Sequence, residues 1–329
     1  MKKPKLIMTC AGEISKEIKK KYNLEKYDFS QITDNKSDQE LIKAIKEADA
    51  IYLGGDNYFS REILENAPKL KLLAFGGIGY ESFIDVRGAN DLGIAITNTP
   101  EANSNSVAEF GIGLLLSIQR NIVETNNLMK KGIKNRLVSR EIKNQKIGII
   151  GMGAIGSRIA KILKNGFQAK VSYYNRTRKK DLEKSLKINY KPLDKLLRES
   201  DVIFIAITEN SSTWNFIDKN ELSIMKKTAI IINPARSKLI NPEALYDALT
   251  KKKIKACAMD GYYTNPKEDK YGLLKLNDSI FICSADIACR TTDAWDRTDQ
   301  IAFANINEFF KTGTSKNIVN PEYSKNKKR

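Results

Sequence analysis

The chain has 329 residues, 41% of them hydrophobic and 29% charged, which is typical of a globular protein, excludes wholesale disorder and leaves room for two domains. Its formal charge of +17 arises from 56 Lys and Arg against 39 Asp and Glu. Because the lysines follow polar helix faces without interleaved aromatic residues, the charge indicates a solvated surface and excludes nucleic acid as a predicted partner.

The chain contains no histidine, which removes the commonest general acid and base and the commonest metal ligand. Its four cysteines show no CxxC spacing, and Cys10, Cys257 and Cys283 lie in apolar runs. That pattern favours reduced thiols in a cytoplasmic protein. No apolar run reaches transmembrane length, and the N-terminal run is too short for a signal peptide. We therefore predict no metal site and no membrane partner.

The first hundred residues predict an α/β layer. Strands are expected at residues 5–10, 51–55, 71–77 and 94–98, with helices between them. Ser37 and Glu40 have the spacing of a capping box, and Ser60 opens another short helix. One long helix is predicted from Glu101 to about Lys131, and glycines inside it indicate close packing against another element.

The segment 146–156, KIGIIGMGAIG, predicts a buried strand, a glycine turn and a helix. In such a turn Gly151 makes the bend, Gly153 lets the backbone approach a pyrophosphate, and Gly156 lets helix pack on strand. The helix start at Ala154 and Ile155 then offers free N–H groups to phosphates. The segment therefore predicts a dinucleotide-binding site.

A second α/β series follows this turn. Strands are predicted at 170–175, 202–207, 229–235, 254–261 and 279–286, and helices near 154–163, 193–198, 220–225 and 242–250. A final helix is expected at about 292–310, and the polar tail beyond Lys316 is predicted to be loose. The alternation predicts the α/β class, with doubly wound parallel sheets of the Rossmann-like kind in two domains.

Several segments resemble the D-isomer-specific 2-hydroxyacid dehydrogenases. They are LKLLAFGGIGYESFIDV, GIAITNTPEANSNSVAEFGIGLLLSIQR, GMGAIG, IINPARSKLINPEALYDAL and AMDGYYTNP, which together span most of the chain. The resemblance implies that a dinucleotide-binding domain, residues 99–286 with the long helix, is inserted into a substrate domain formed by residues 1–98 and 287–329. It also implies an oxidoreductase acting on CH–OH groups, a cleft for nicotinamide and substrate, and a homodimer.

Cofactor choice is indicated by the residues after KVSYYN. In NAD-specific folds an acidic residue about 20 positions beyond the glycine turn bonds the ribose 2′-hydroxyl. Here Asn175 is followed by Arg176, Thr177 and Arg178, and guanidiniums with a hydroxyl suit a 2′-phosphate. We therefore predict NADPH, with NAD less favoured; ordinary surface arginines are the alternative.

The resemblance implies further cofactor contacts at the ends of later strands. Thr208 and Thr213 match positions that close over the cofactor. Ala235 and Asp260 match positions that hold the nicotinamide amide, although Asp260 serves equally well as a turn residue.

The resemblance also implies a substrate site. Arg236 matches the arginine that orients a 2-oxo acid, a task suited to its forked donors; an interdomain ion pair is the alternative. In the first domain the backbone N–H groups of Ile78 and Gly79 match a carboxylate-binding turn, with Tyr80 close by.

At the catalytic positions the chain departs from the family. The family's histidine in a Pro-His-Ile pattern is replaced by Asp286, and its glutamate in a Glu-Pro pair by Asn265. These two side chains can hydrogen-bond each other. An unperturbed aspartate has a pKa of about 3.9 and rarely carries a proton at neutral pH. Burial would raise that pKa, whereas Arg236 would lower it.

Three functions remain open. The first is reduction of a 2-oxo acid, with the proton from Asp286 or a tyrosine (Tyr80, Tyr262 or Tyr263). The second is action on an altered substrate such as an imine, with ionised Asp286 stabilising an iminium. The third is a catalytically silent NADPH-binding sensor or interaction module. An NAD(P)H-dependent oxidoreductase of a small 2-oxo acid, or a related carbonyl or imine, is favoured because Arg236, the anion-binding turn and the cofactor site all persist.

Overall fold

The computed structural model describes residues 3–9, 16–33, 36–55 and 57–326. The chain forms two compact units, residues 1–103 with 292–329 (unit 1) and residues 104–291 (unit 2). These boundaries follow residues 103 and 291, a few residues after the predicted ones at 98 and 286. Each unit contains a parallel sheet with helices, so the predicted fold class is confirmed. Across the described ranges, no helix is long and apolar enough to cross a membrane.

The N-terminal segment of unit 1 alternates strands with short helices. Its elements are β1 Lys5–Thr9, α1 Lys16–Lys21, β2 Asp28–Ile32, α2 Asp38–Ile45, β3 Ala50–Leu53, α3 Arg61–Glu65, β4 Leu72–Phe75, α4 Val86–Asp91 and β5 Ala95–Thr97. The predicted capping box is confirmed, because the Ser37 hydroxyl accepts from the Glu40 N–H and the Glu40 carboxylate accepts from the Ser37 N–H. Ser60 caps α3. Cys10, predicted to end the first strand, lies outside the described residues.

The sheet of unit 1 has the order β2-β1-β3-β4-β5, and every pair is parallel. The sequence did not predict β2, which lies at the sheet edge and is half-buried or exposed along its whole length. An edge strand of this kind needs no apolar run, so its sequence carries no strand signal.

Unit 2 contains most of the helices and the larger sheet. Its elements are α5 Ser104–Gln119, α6 Ile122–Lys130, β6 Lys146–Ile150, α7 Ala154–Phe167, β7 Lys170–Tyr174, α8 Lys180–Leu186, β8 Asn189–Tyr190, α9 Leu193–Glu199, β9 Val202–Ile205, α10 Lys219–Ser223, β10 Ile230–Asn233, α11 Pro242–Thr250, β11 Ala256–Asp260 and β12 Phe281–Ser284. Asn241 caps α11 through the N–H groups of Glu243 and Ala244, ahead of Pro242, as the sequence predicted. The two-residue β8 was not predicted.

The prediction of one helix from Glu101 to Lys131 is wrong. The helix is broken at Asn121, whose φ of 52° lies in the left-handed region, a conformation that asparagine adopts more readily than most residues. The predicted close packing holds for Gly111, where an added Cβ would lie 3.3 Å from a Pro234 carbon. It does not hold for Gly113, which has nothing within 4 Å.

The sheet of unit 2 has seven parallel strands in the order β12-β11-β10-β9-β6-β7-β8. The chain runs outward from β6 to β8 and then crosses over to β9, so the strand order reverses between β6 and β9. In open α/β sheets ligands bind at such a reversal, beyond the carboxyl ends of the strands. The fold therefore places the glycine turn after β6 at the expected binding crevice.

Unit 1 is completed by α12 Thr292–Thr312 and the C-terminal segment. Phe303 and Ile306 of α12 pack on Leu6 and Tyr52 of the sheet. The prediction of a loose tail beyond Lys316 is wrong for residues 317–326, the part of the tail that the structure describes. The buried Asn320 side chain accepts from the Ile96 N–H at 2.6 Å and donates to the Ile94 carbonyl at 3.0 Å, and a 3₁₀ turn spans Pro321–Asn326.

Three of the cysteines can be placed, and all are free thiols. Cys257 is fully buried in β11, whereas Cys283 and Cys289 are partly buried. Burial raises the pKa of the Cys283 thiol to about 12. The predicted burial is complete at Cys257 and partial at Cys283, and Cys289 was not among the cysteines placed in apolar runs.

Candidate functional site

The glycine turn after β6 is built so that two of its glycines cannot be replaced without a collision. Gly151 has a φ of +97°, and a Cβ there would lie 2.4 Å from the Ala206 carbonyl oxygen. A Cβ on Gly156 would lie 2.0 Å from the Gly151 carbonyl oxygen. At Gly153 nothing lies within 4 Å of an added Cβ. Two glycines therefore close the turn, and the third borders open space.

The first turn of α7 faces that space with free donors. Gly153 is the N-cap and provides no side-chain cap. Within the described ranges, no acceptor bonds the N–H groups of Ala154, Ile155 or Gly156. Free N–H groups at a helix start carry positive partial charge and bind phosphate oxygens. This arrangement, at the reversal of strand order, fits the pyrophosphate of a dinucleotide.

The end of β7 is tied to this turn by Asn175. Its side-chain oxygen accepts from the Met152 N–H at 3.2 Å, and its amide donates to the Thr177 carbonyl at 2.7 Å. Asn175 therefore fixes the loop that carries the arginines beside the glycine turn. Arg176 is exposed and has no hydrogen-bond or ion-pair partner in the described part of the chain.

Arg178 is engaged, unlike Arg176. Its Nε and Nη2 atoms donate to the two carboxylate oxygens of Glu183 at 2.8 and 2.7 Å, and its guanidinium lies 5.6 Å from the Tyr190 ring centre. The Arg178 guanidinium and the Tyr173 hydroxyl lower the pKa of Glu183 from 4.5 to about 2. Only one side of the Arg178 fork stays open to a ligand.

The loop after β9 contains the two predicted threonines. The Thr213 hydroxyl donates to the Thr208 carbonyl at 2.8 Å and accepts from the Asn210 N–H at 2.8 Å. Thr213 therefore folds the loop back on itself at the carboxyl end of β9, next to the glycine turn. The Thr208 side chain is exposed.

Arg236 stands on a turn after β10 that is held by a residue the sequence analysis did not select. The buried Asn233 side chain donates to the Arg236 carbonyl at 2.8 Å and accepts from the Ala235 N–H at 3.1 Å. The sequence does contain a signal for Asn233, because this residue is part of the segment IINPAR, which resembles the family. The Arg236 Nη1 atom donates to the Ala235 carbonyl at 2.8 Å.

Asp260 holds the neighbouring turn in the same way. Its buried carboxylate accepts from the Ser284 hydroxyl at 2.5 Å, the Ile287 N–H at 3.0 Å and the Ala288 N–H at 2.7 Å. Of the two predicted roles for Asp260, this geometry supports the turn residue. The turn that Asp260 holds presents Asp286, whose φ of 56° is left-handed.

Arg236 and Asp286 meet at this edge of unit 2. The Arg236 Nη1 atom lies 3.5 Å from the Asp286 carboxylate, with 45% of the arginine and 53% of the aspartate side chain exposed. This ion pair lies within unit 2, whereas the predicted alternative for Arg236 was an interdomain ion pair. The Arg236 Nε and Nη2 atoms keep free donors among the described residues.

The other catalytic candidates are placed differently. Asn265 and Asp286, which could hydrogen-bond each other, do not do so among the described residues; Asn265 instead accepts from the Lys267 N–H at 3.0 Å and caps a short turn. The Tyr262 hydroxyl donates to Asp269. The Tyr263 hydroxyl is buried without a described hydrogen-bond partner, and burial raises its pKa well above 10.

In unit 1 the predicted anion-binding turn follows β4. The Asn98 amide and the Thr99 N–H donate to the Ile78 and Gly77 carbonyls, at 3.4 and 2.9 Å. Among the described residues nothing accepts from the Ile78 and Gly79 N–H groups, and an added Cβ on Gly79 meets nothing within 4 Å. Burial raises the pKa of Tyr80 beside them. The turn therefore offers two free donors.

Comparisons with known proteins agree with this architecture. A family model described as "D-isomer specific 2-hydroxyacid dehydrogenase, NAD binding domain" matches residues 112–283. A glyoxylate reductase of Pyrococcus horikoshii is 34% identical over 297 residues, covering 88% of this chain and 87% of the relative. A glyoxylate reductase of Aeropyrum pernix is 32% identical over an alignment of 336 residues, covering 99% and 98%.

Solved structures share the whole fold. An acyclic imino acid reductase in complex with NADPH and D-arginine is 26% identical, with a TM-score of 0.84 over 95% of this chain and 99% of that one. A glyoxylate reductase from Paecilomyes thermophila is 25% identical, with a TM-score of 0.85 over 97% and 99%. The resemblance read from the sequence is confirmed: this chain belongs to the D-isomer specific 2-hydroxyacid dehydrogenase family.

Proposed function

We propose that the protein is an NADPH-dependent oxidoreductase that reduces a small 2-oxo acid or a close analogue at C2. The observation that carries the proposal is Arg236, which stands on a braced turn at the carboxyl edge of the dinucleotide-binding sheet with half of its fork free. A planar fork of two N–H donors matches a carboxylate better than any other side chain does.

The chain's own residues divide the task between binding and orientation. The N–H groups at the start of α7 would hold the pyrophosphate, and a reduced nicotinamide bound there would supply hydride. Arg236 would hold the substrate carboxylate and so fix the position of C2. Within unit 1, the free N–H groups of Ile78 and Gly79 would also suit a carboxylate oxygen. Orientation of this kind contributes much of the rate in two-substrate reactions.

The relatives support the substrate class. Two of them are named glyoxylate reductases, and glyoxylate is a small 2-oxo acid. The structural relative solved with NADPH is named an acyclic imino acid reductase. The proposed class therefore includes a double bond from C2 to oxygen or to nitrogen.

Replacing Arg236 tests the proposal. Arg236→Lys keeps the charge but loses the fork, and we expect kcat/KM for the substrate to fall about 100-fold because C2 is misplaced. Arg198→Lys, an exposed change on α9, is the matched control and should leave kcat/KM unchanged. Turnover that survives Arg236→Lys and Arg236→Ala would show that the carboxylate is bound elsewhere.

The preference for NADPH rests on Arg176 rather than on both arginines. Arg178 is bound to Glu183, so we expect Arg176 to make the main contact with the 2′-phosphate. Arg176→Ala should weaken the binding of NADPH about 10- to 100-fold, which corresponds to the loss of one charge-assisted hydrogen bond, and should change the binding of NADH little. Arg178→Ala should weaken NADPH less. Dissociation constants from fluorescence titration decide this; equal losses for NADPH and NADH would mean that Arg176 does not contact the 2′-phosphate.

We also propose a homodimer. Five exposed apolar side chains lie on α6 and the segment after it, Ile122, Met129, Ile133, Leu137 and Val138. An apolar patch of this kind marks a protein contact more often than a free surface. Sedimentation equilibrium should give twice the chain mass, and Val138→Asp should shift the protein toward the monomer.

The competing function is a catalytically silent NADPH-binding protein. The observation behind it is that no proton relay joins Asn265 to Asp286 within the described residues. It predicts NADPH binding without turnover on any 2-oxo acid, with or without amines. Any NADPH oxidation that disappears with Arg236→Ala would exclude it.

A further inference from the structure

We propose that the double bond reduced at this site joins C2 to nitrogen: the substrate is the cationic 2-imino acid formed from a 2-oxo acid and an amine, and Asp286 is its counter-ion. The inference rests on the proposed function and selects one substrate class within it. It follows from what surrounds Asp286, from the groups missing there, and from the charge balance of the two candidate reactions.

The Asp286 carboxyl group is open to solvent and lies beside a guanidinium. A carboxyl group holds its proton at neutral pH when an apolar site removes water from it. The Asp286 side chain is 53% exposed and lies 3.5 Å from the Arg236 guanidinium, so the apolar site is absent and a positive charge is adjacent. Asp286 is therefore offered to a substrate as a solvent-exposed carboxylate beside a guanidinium.

That charge opposes reduction of a ketone. Hydride addition to a carbonyl places negative charge on oxygen, which must then take a proton to become the hydroxyl. A carboxylate beside that oxygen repels the developing charge. The chain contains no histidine. Of the three candidate tyrosines, Tyr80 belongs to unit 1, the Tyr262 hydroxyl donates to Asp269, and the Tyr263 hydroxyl is buried.

The same charge favours an iminium. A 2-imino acid carries a negative carboxylate and a positive nitrogen on neighbouring carbon atoms. Arg236 and Asp286 present a positive and a negative group 3.5 Å apart. Arg236 can therefore contact the carboxylate of the substrate while Asp286 contacts its nitrogen. The substrate would exchange the contact between these two side chains for one charge-assisted bond to each.

The reaction then balances without a proton from the protein. The nitrogen of the iminium already carries its proton. C2 receives a hydride, the reduced nicotinamide that gives it is oxidised, and the electron pair of the C=N bond moves to nitrogen. The product is the neutral amine, which takes a proton from water. The amine and the 2-oxo acid condense in solution before binding, with loss of water.

The turn geometry makes Asp286 a firm counter-ion. Its backbone is left-handed, with a φ of 56°, and the turn is held by three hydrogen bonds to the buried Asp260. Asparagine accepts this backbone conformation as aspartate does. Asp286→Asn therefore removes the charge and keeps the turn, which makes it a clean test.

Turnover is measured with the holoenzyme, NADPH and pyruvate or glyoxylate, with and without ammonium or methylamine. We expect NADPH oxidation to be at least about tenfold faster with amine, and the product to be the amino acid. Asp286→Asn should lose the amine-dependent rate. Asp247→Asn, the same charge change on α11, should retain it. Asp286→His, which supplies a proton donor, should shift the preference toward the 2-oxo acid alone.

An equilibrium measurement gives a second readout that does not depend on turnover. Calorimetric titration of the protein saturated with NADP⁺ compares alanine with lactate, which differ in a cationic or neutral group at C2. We expect alanine to bind about tenfold more tightly and Asp286→Asn to abolish the difference.

The outcomes separate this inference from the proposed function. Equal NADPH oxidation with and without amine, with lactate bound as tightly as alanine, would overturn the imino acid substrate and leave the 2-oxo acid reductase standing. Bound NADPH without turnover in either arm would overturn the proposed function and this inference together.

Discussion

The glycine turn and the edge that carries Arg236 and Asp286 lie on one sheet but are constructed in opposite ways. The turn is made of backbone, with free N–H groups and two glycines at which an added Cβ would collide with a carbonyl oxygen. The Arg236 and Asp286 edge is made of side chains, and each of its two turns is held by one buried polar residue, Asn233 or Asp260.

This difference explains how the chemistry can change while cofactor binding persists. A site made of backbone groups tolerates almost any side chain outside its glycines, so its sequence does not depend on which reaction the protein performs. A side-chain site can exchange its proton donor without disturbing the turn that presents it, since the bracing residue Asp260 contacts backbone N–H groups of Ile287 and Ala288. We propose that Asp286, which the resemblance matches to the family's histidine, is such an exchange.

The largest effect is expected from a substitution in the glycine turn, the region made of backbone. Gly156→Ala places a Cβ 2.0 Å from the Gly151 carbonyl, so the turn must open. We expect roughly 1–3 kcal/mol of lost stability and about 100-fold weaker NADPH. Gly153→Ala is the matched change, because its Cβ meets nothing within 4 Å; it should weaken NADPH without lowering the melting temperature. Equal melting temperatures for the two variants would contradict this account.

The next largest effect is expected from a substitution at Asp260, which holds the turn that carries Asp286. Asp260→Asn replaces one acceptor oxygen by a donor, which leaves a buried N–H of the 284–288 turn unsatisfied at a cost of about 1–3 kcal/mol. Turnover should fall because Asp286 is no longer held, whereas NADPH binding should remain. Urea unfolding and NADPH titration of the same variant check both parts, and loss of NADPH binding would refute the separation of the two regions.

A smaller effect concerns Glu183, whose pKa is lowered from 4.5 to about 2 by Arg178 and then Tyr173. A lowered folded-state pKa means that its stabilisation is complete above the unfolded value near 4.5 and is lost as the pH falls toward about 2. Glu183→Gln should therefore melt below the parent at neutral pH, with the gap closing as the pH falls from about 5 to about 2. A gap that does not depend on pH would point to packing instead.

The smallest effect tests whether a glycine outside the turn is needed at all. Gly166 lies in α7 outside the turn, and an added Cβ there meets nothing within 4 Å. Gly166→Ala should stabilise the protein by about 0.5–1 kcal/mol, since alanine loses less backbone entropy in a helix. Calorimetry should show a higher melting temperature and unchanged NADPH affinity, and a lower melting temperature would mean that glycine is needed here as well.

Local signals predicted much of this fold. Ser37, Ser60 and Asn241 were identified as N-caps because a cap depends on residues three or four positions apart. The glycine turn and the buried strands of unit 2 carry equally local patterns. Strand β2 and the break at Asn121 were missed, because one is half-polar at an edge and the other depends on how α5 and α6 pack.

The site was predicted less completely for the same reason. Arg236 and Asp286 came from the resemblance, but their contact joins residues 50 positions apart, and no local pattern announces it. Asp260 braces residues up to 28 positions away. The possible bond from Asn265 to Asp286 does not form among the described residues, because Asn265 instead closes its own short turn.

One unit is formed by a single continuous segment of the chain and the other by two separate segments, and this difference predicts an order of folding during synthesis. Unit 2 is continuous from residue 104 to 291, whereas unit 1 needs residues from both sides of it. Until α12 leaves the ribosome, the sheet face around Leu6 and Tyr52 lacks Phe303 and Ile306. We therefore expect the cofactor-binding unit to fold first, and the half-built sheet of unit 1 to be the stage at which a nascent chain is most exposed to chaperones and to aggregation.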